Sequence, residues 1–267
     1  MALNIKQIME NKTALITGAS KGLGMEFAKI HAANGGNLVL VARSEGDLIL
    51  LKNELKAKHT AIKVAVIAKD LTLPESAIDV YNEIKEKNIK IDNLINNAGI
   101  GEFGFFVDTN WERNAQMIDL NIKVLTHLCH LFLPDMMARK HGKIMNISSI
   151  AAFQPGPMMA VYFASKSYVL HLSEALNNES QKSGVSVTAF CPGPTNTHFI
   201  EDSKMNKSIL AENMKLASSH SVALCGYKAM MNAKAVKIHG FWNKAMALSV
   251  RFLPRKWVVT LSRKMQG

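Results

Sequence analysis

A serine, a tyrosine and a lysine stand at a spacing that suits acid–base chemistry on a carbonyl group. Tyr162 precedes Lys166 by four positions, so a helix would place both side chains on one face. Ser149 lies thirteen residues before Tyr162, directly after an apolar run that ends in Asn146-Ile147-Ser148. When a carbonyl is reduced, its oxygen gains negative charge and then a proton, and these residue types can supply both needs. We therefore predict that Ser149, Tyr162 and Lys166 form a catalytic group.

Tyr162 is the expected proton donor of this group. A tyrosine in water has a pKa of about 10, and we expect the neighbouring Lys166 to favour the phenolate and lower the pKa of Tyr162. Tyr81 and Lys85 have the same spacing, but Ala68 occupies the position that corresponds to Ser149. The serine therefore distinguishes the candidate group from a chance pair.

A glycine-rich stretch near the N-terminus has the features of a phosphate-binding loop. It reads Thr17-Gly18-Ala19-Ser20-Lys21-Gly22-Leu23-Gly24 and stands between an apolar run and a helical pattern. Glycines let the backbone approach a pyrophosphate closely, and a helix N-terminus offers free N–H groups to the negative charge. The spacing of Gly18, Gly22 and Gly24 differs from G-x-G-x-x-G, so on its own it is a weak signal.

The residues after the second apolar run predict which dinucleotide would bind. Folds that prefer NAD place an acidic residue on the ribose hydroxyls at this point, but the sequence reads Ala42-Arg43. Arg43 and Lys21 could instead pair with a 2'-phosphate. The sequence therefore predicts NADPH/NADP+ as the cofactor.

Apolar β-type runs alternate with helical patterns along the whole chain, which is typical of a doubly wound α/β fold. We predict one Rossmann-type domain over residues 1–267, with a parallel sheet, helices on both faces and a basic extension at 239–267. The predicted strands are Thr13–Thr17, Asn37–Val41, Val64–Ile67, Asn93–Ile95, Lys143–Ile147 and Val185–Phe190. The predicted helices are Leu23–Asn34, Glu45–Lys58, Pro74–Lys87, Asn114–Arg139 and Met159–Lys182.

From Asn11 to about Ile238 the chain resembles the short-chain dehydrogenase/reductase family. The resemblance lies in the loop above, in Ser149, Tyr162 and Lys166, and in further residues that follow the predicted strands in the family's order. These further residues are Asp70-Leu71, Asn96-Asn97-Ala98-Gly99, Asn121 and Pro192-Gly193. The resemblance implies an NADPH-dependent carbonyl reductase or alcohol dehydrogenase.

The resemblance also implies roles for single residues. Asp70 and Leu71 would contact the adenine, and Asn97, Ala98 and Gly99 would border its ribose. Lys166 would hold the nicotinamide ribose, and Ser149 would bind the substrate oxygen. Asn121 would hold a water that links Lys166 to solvent and would be the fourth catalytic residue. Further cofactor contacts would come from Gly18, Ser20, Lys21, Gly22, Leu23, Gly24, Arg43, Tyr162, Pro192, Gly193, Thr195 and Thr197.

Composition narrows the remaining classes of function. Three cysteines without paired spacing argue against a disulfide framework, and nine scattered histidines show no spacing of metal ligands, so we expect no metal and a cytoplasmic location. The net charge is +11. Residues 213–267 hold ten basic and no acidic side chains, so the charge belongs to the C-terminal end. No nucleic-acid motif accompanies it.

The basic C-terminal extension has the pattern of two amphipathic helices, one around Phe241, Ala245, Leu248 and Phe252 and one after Pro254. Three uses stay open: peripheral contact with a membrane surface, a lid or subunit contact, and docking of an acidic carrier protein. The family resemblance also implies a homodimer or homotetramer formed through the two long helices.

Aromatic and methionine side chains in the loops after strands four to six predict a hydrophobic ketone substrate, such as a 3-oxoacyl, steroid or other lipid-like compound. These residues are Phe103, Phe105, Phe106, Phe153, Met158, Met159, Phe199, Met205 and Met214; several of them could equally be core. The alternative function is a catalytically silent NADPH-binding sensor or scaffold of the same fold. An intact catalytic set disfavours this alternative, since a sensor needs only the cofactor residues.

Overall fold

The computed structural model describes residues 10–204 and 216–266. Its centre is a seven-stranded parallel sheet with the strand order β3-β2-β1-β4-β5-β6-β7. The strands are β1 (Thr13–Thr17), β2 (Asn37–Ala42), β3 (Val64–Ala68), β4 (Asn93–Asn96), β5 (Gly142–Ile147), β6 (Val185–Cys191) and β7 (Val236–Ile238). The predicted fold class is confirmed, and β7 adds a strand to the six that were predicted.

Helices cover both faces of the sheet because its strands are apolar on both sides. They are α1 (Gly22–Ala33), α2 (Glu45–Lys58), α3 (Ser76–Glu86), α4 (Trp111–Ile118), α5 (Leu125–Ala138), α6 (Ala160–Ser180), the short α7 (Phe199–Asp202) and α8 (Ser219–Met231). One core cluster lies against α1, α2 and α8, and a second lies against α3, α5 and α6.

The predicted helix Asn114–Arg139 is interrupted. It begins earlier, at Trp111, and a π-helical turn at Asp119–Val124 separates α4 from α5. A π-helical turn holds one more residue than an α-helical turn, and such turns occur often at functional sites. Asn121 lies inside this turn and is fully buried.

The C-terminal extension forms two helices, α9 (Phe241–Ser249) and α10 (Arg255–Gln266), which end on either side of Pro254 as the sequence predicts. Neither helix is a free appendage, since Ala247 of α9 and Val258 of α10 are buried. The order in which successive strands are added to the sheet reverses between β1 and β4, and in such folds ligands bind beyond the carboxyl ends of the strands at this point.

Candidate active site

Ser149, Tyr162 and Lys166 line one cavity of about 550 Å³ at the carboxyl ends of the strands. Ser149 follows β5 and caps the short helical turn Ile150–Phe153, where its hydroxyl accepts a hydrogen bond from Ala151 N at 3.1 Å. Tyr162 and Lys166 lie in the first two turns of α6. The structure therefore brings the three predicted residues together.

Lys166 is buried at the base of this cavity. Its Nζ donates to the carbonyl oxygen of Ile147 at 2.9 Å and lies 5.7 Å from the centre of the Tyr162 ring. Burial lowers the pKa of Lys166 to about 8, although the nearby Cys191 acts in the opposite direction. The amine thus titrates close to neutral pH.

Burial also governs the phenol of Tyr162. It raises the pKa of Tyr162 to about 12, and a hydrogen bond with Ser149 opposes the rise. The expectation that Lys166 lowers the pKa of Tyr162 is therefore wrong for this structure, because the ammonium is turned toward Ile147 and loss of hydration dominates. Tyr162 is protonated at neutral pH, as a proton donor must be.

The alternatives to Ser149 and to the Tyr162–Lys166 pair have other partners. The hydroxyl of Ser148 donates to the backbone carbonyl of Lys166 at 2.8 Å and so ties β5 to α6. Tyr81 donates to Asp135 at 3.1 Å on a distant part of the surface, and Lys85 forms an ion pair with the same carboxylate. Of the two serines, Ser149 is the one whose hydroxyl proton is not already bound to the backbone.

Asn121 holds the loop after β4 in place. Its amide oxygen accepts from Ile100 N at 3.0 Å, and its amide nitrogen donates to Ile100 O at 2.9 Å and to Ser165 Oγ at 3.1 Å. A Cβ atom on Gly99 would stand 3.1 Å from Asn121 Oδ1 and 3.4 Å from Lys166 Nζ. Asn121 does not line the cavity, and it lies next to Lys166 with only the bare backbone of Gly99 between them.

The glycine-rich loop adopts backbone conformations that favour glycine. Gly18 and Gly22 have φ values of +64° and +58°, which favour glycine. A Cβ on Gly24 would stand 2.1 Å from the carbonyl oxygen of Gly18, so Gly24 is needed for packing and lies outside the cavity lining. Asn97 donates to the carbonyl oxygens of Thr17 and Gly18 and joins this loop to β4.

The two predicted phosphate-binding cations differ in their surroundings. Arg43 is exposed, lines the cavity and forms no ion pair within 10–204 and 216–266. Lys21 Nζ lies 3.1 Å from a carboxylate oxygen of Asp202 on α7, so an anionic ligand would compete with that contact. Arg43 is thus the better placed of the two.

The other predicted cofactor residues border the same cavity. Those that line it are Ser20, Leu23, Asp70, Leu71, Asn97, Ala98, Gly99, Pro192, Gly193, Thr195 and Thr197, together with Gly18, Gly22, Lys21 and Arg43. Asp70 accepts two hydrogen bonds from Thr72, and the hydroxyl of Thr195 donates to Gly193 O at 2.8 Å. The predicted residues therefore form a continuous wall from the glycine-rich loop to Lys166.

The predicted apolar substrate wall is only partly present. Met159 and Phe199 line the cavity, whereas Phe105 and Phe106 are about half exposed and stand outside it. Phe103 packs against the cluster of Ala151, Met159 and Phe163, Phe153 packs against a separate small cluster, and Met158 contacts Arg263. Met205 and Met214 lie outside the described residues.

Sequence reasoning left a lid open as one use of the C-terminal helices, but it named none of their residues as lining of this cavity. The side chains that line it are Trp242, Asn243 and Met246 of α9 and Ser262, Met265 and Gln266 of α10. The amphipathic pattern predicted both helices but gave no signal for the part of the fold they would contact.

Two further findings concern absences: in the described segments no cluster of His, Cys, Asp or Glu could hold a metal, and no helix is long and apolar enough to cross a bilayer.

A family model described as short chain dehydrogenase matches residues 12–208. A curated protein, oxidoreductase UcpA of Salmonella typhimurium, is 35% identical over 195 residues, which cover 72% of this chain and 73% of that protein.

Two solved structures extend the similarity to nearly the whole chain. A short-chain dehydrogenase from Sphingobium yanoikuyae in complex with NADPH is 31% identical, with a TM-score of 0.81 and coverage of 90% of this chain and 94% of that one. The bulky-bulky ketone specific alcohol dehydrogenase from Comamonas testosteroni is 29% identical, with a TM-score of 0.77 and coverage of 91% and 93%.

Proposed function

The chain belongs to the short-chain dehydrogenase family of oxidoreductases, and from that premise we propose that it reduces a bulky, largely apolar ketone to an alcohol with NADPH. The observation that carries the proposal is the single cavity that Ser149, Tyr162 and Lys166 share with the glycine-rich loop. One part of the cavity wall suits a dinucleotide, and another part carries apolar side chains.

The chemistry needs a hydride at the carbonyl carbon and a proton at its oxygen, and bound NADPH would supply the hydride. Tyr162 would donate the proton, since its raised pKa keeps the phenol protonated. The hydroxyl of Ser149 would donate a hydrogen bond to the carbonyl oxygen and stabilise the charge that develops there. Lys166 would hold the nicotinamide ribose. Asn121 would be the fourth residue of the catalytic set and would fix the loop that faces Lys166.

The preference for NADPH over NADH rests on the end of β2. In folds that prefer NAD, this position holds an acidic side chain, which would repel a 2'-phosphate. Here it holds Ala42 and Arg43, and Arg43 lines the cavity. The similar dehydrogenase from Sphingobium yanoikuyae was solved with NADPH, which supports the same choice. The remaining cofactor residues would act through the backbone of Gly18 to Leu23 and the side chains that border the cleft.

The substrate class follows from the apolar part of the cavity wall. Leu120, Met159, Phe163, Trp242 and Met246 line it, and Phe199 stacks against Tyr162 with ring centres 5.3 Å apart. Apolar and thioether side chains favour a substrate with large hydrocarbon groups. The ketone specificity for which the Comamonas testosteroni relative is named agrees with this choice.

NADPH oxidation with a panel of steroid ketones, aryl ketones and 3-oxoacyl thioesters tests the proposal. We expect turnover of at least one bulky apolar ketone and none of small sugars. Tyr162→Phe should abolish turnover and leave the affinity for NADPH within a few-fold. Tyr168→Phe is the matched control on the same helix, since this half-exposed phenol contacts Thr126 and not the cavity. Full activity of Tyr162→Phe, or turnover only of small polar substrates, would contradict the proposal.

We propose a cytoplasmic location and a homodimer or homotetramer. The three cysteines Cys129, Cys191 and Cys225 are free thiols, which suits a reducing compartment. Sedimentation velocity at two protein concentrations measures the assembly state, and a monomer at both would exclude an oligomer.

The outer face of the C-terminal helices supports a peripheral contact with an anionic membrane surface. Phe241, Phe252 and Trp257 are exposed there beside the basic residues of the tail. We expect the protein to sediment with phosphatidylserine vesicles at low salt and to be released at high salt. Failure to bind at low salt would exclude the membrane contact and leave a lid or subunit contact and docking of an acidic carrier protein.

A further inference from the structure

Two polar side chains of α10 are buried in the cavity wall with unpaired atoms. Ser262 and Gln266 are 2% and 4% exposed, and both line the cavity. Within the described residues, Ser262 Oγ and Gln266 Oε1 have no hydrogen-bond partner. Burying a hydroxyl and an amide without partners costs free energy, so such atoms in a binding cavity point to a ligand that supplies the partner.

The two side chains act on the same spot because they lie on the same face of one helix. Ser262 and Gln266 are four positions apart, and Val258 continues the buried stripe one turn earlier. The other side of α10 carries exposed residues such as Lys256 and Lys264. If α10 only covered an apolar cavity, apolar residues such as Val258 would be expected along the whole stripe. Two positions of the stripe instead carry hydrogen-bonding side chains.

Neighbouring contacts place this part of α10 over the substrate end of the cavity. Arg263 donates to the sulfur of Met158, next to the cavity residue Met159, and its guanidinium lies 4.9 Å from the centre of the Phe105 ring. Met158 and Phe105 belong to the loops before α6 and after β4. The phosphate-binding loop and Arg43 belong to the other end, at the carboxyl ends of β1 and β2.

We propose that Ser262 and Gln266 bind a hydroxyl group of the substrate remote from the carbonyl that is reduced. The inference rests on the proposed function, and it deepens that function by naming the substrate class as hydroxylated, otherwise apolar ketones. After a change of side-chain rotamer turns both atoms toward the cavity, a substrate hydroxyl would donate to Gln266 Oε1 and accept from the hydroxyl of Ser262, which satisfies both atoms. A carbonyl or a carboxylate offers only acceptors and would leave Gln266 Oε1 unpaired.

The test compares keto steroids with and without the remote hydroxyl. In both androsterone and dihydrotestosterone the ketone and the hydroxyl lie at opposite ends of the steroid, and the two groups are exchanged between the two compounds. Whichever way a steroid lies in the cavity, one of the two compounds therefore presents its ketone to the catalytic residues and its hydroxyl to α10. Each is compared with its deoxy analogue, by kcat/KM with NADPH and by equilibrium dialysis against the NADP+-loaded enzyme. We expect at least one hydroxylated steroid to be preferred about tenfold, the value of one net hydrogen bond.

Two variants remove the proposed partners, and a third is the control. Ser262→Ala and Gln266→Leu should each abolish the preference for the hydroxylated steroid over its deoxy analogue. Thr260→Val should keep the preference, because the exposed Thr260 hydroxyl already donates to Lys256 O. Both cavity variants should also melt at or above the temperature of the unaltered protein without ligand, since each removes a buried unpaired atom.

The outcomes separate this inference from the proposed function. Turnover of the deoxy ketones without any preference for the hydroxyl, or a preference that survives in both variants, overturns the inference and leaves the reductase intact. If no ketone is turned over, the reductase proposal fails, and the dialysis data then decide the inference. Equal binding of hydroxylated and deoxy steroids overturns it, and selective binding that both variants lose upholds it.

Discussion

Replacement of Arg43 by alanine should weaken the use of NADPH and leave the use of NADH unchanged. Arg43 lines the cavity at the end of β2 and forms no ion pair among the described residues. Lys21, the other candidate partner of a 2'-phosphate, is already 3.1 Å from Asp202. Most of the discrimination between the two cofactors should therefore depend on one guanidinium.

The size of the effect follows from the exposure of Arg43. A hydrogen bond to a charged group contributes about 1.5–3 kcal/mol, and solvent screening of an exposed side chain favours the lower end of this range. A loss of about 1.5 kcal/mol corresponds to roughly a tenfold fall in kcat/KM for NADPH. Because the interaction is partly screened, the fall should shrink as the salt concentration rises.

Steady-state kinetics with NADPH and NADH at low and high salt measure this effect. Lys69→Ala is the control, since Lys69 lines the same cavity but its ammonium is 2.6 Å from a carboxylate oxygen of Asp79. An equal fall for NADPH and NADH in Arg43→Ala would show a general structural defect. An unchanged ratio of the two kcat/KM values would refute the assignment of Arg43 to the 2'-phosphate.

Three further predictions concern the titration and packing of buried groups. The affinity for NADP+ should fall as the pH rises through about 8, because burial lowers the pKa of Lys166 to about 8 and the uncharged amine binds the ribose less well; calorimetric titration measures this, and Lys166→Met should flatten the profile. Burial lowers the pKa of His31 to about 4, so the unfolded state alone gains a proton below pH 6.5 and the free energy of unfolding should fall by up to about 3 kcal/mol between these values, as urea titrations would show. Gly99→Ala should reduce kcat about tenfold with little change in melting temperature, since the added methyl crowds Asn121 Oδ1 at 3.1 Å.

Each of these predictions has a clear contrary result. A flat affinity profile in the unaltered protein would show that Lys166 stays charged. The sign for His31 depends on a neutral ring in the native state, which contacts the Tyr227 hydroxyl at 2.8 Å and Lys12 O at 3.0 Å. A free energy of unfolding that does not fall at low pH would thus contradict the buried neutral ring. Unchanged kcat in Gly99→Ala would show that the site tolerates a displaced Asn121.

The sequence predicted the sheet and the meeting of distant residues because both depend on simple rules. Buried parallel strands read as short apolar runs, and their carboxyl ends lie at one edge, so residues that follow β1, β4 and β5 must converge there. Ser149 and the glycine-rich loop were identified in this way. The strand ends differ from the prediction by one residue at most, because the hydrogen-bonded ladder runs one residue past the apolar run, as at Asn96.

What the sequence did not predict depends on how side chains pack in three dimensions. Lys166 and Tyr162 share a helix face, but the loss of water around both side chains decides their pKa values. The amphipathic pattern predicted that α10 is helical. The position of α10 over the cavity depends on contacts between Arg263 and residues about a hundred positions earlier in the chain. In the sequence, nothing distinguishes Ser262 from other polar residues.

The π-helical turn at Asp119–Val124 lies inside the longest helical segment of the fold, where it serves function at the expense of stability. Its hydrogen bonds are less favourable than those of a regular helix, yet the wider turn carries the inward-facing Asn121 that holds Ile100 and Ser165. Deletion of one residue there would restore regular winding and rotate Asn121 away from its partners. Selection for thermal stability alone would therefore tend to erase this turn, and a stabilised variant chosen without an activity screen is at risk of losing it.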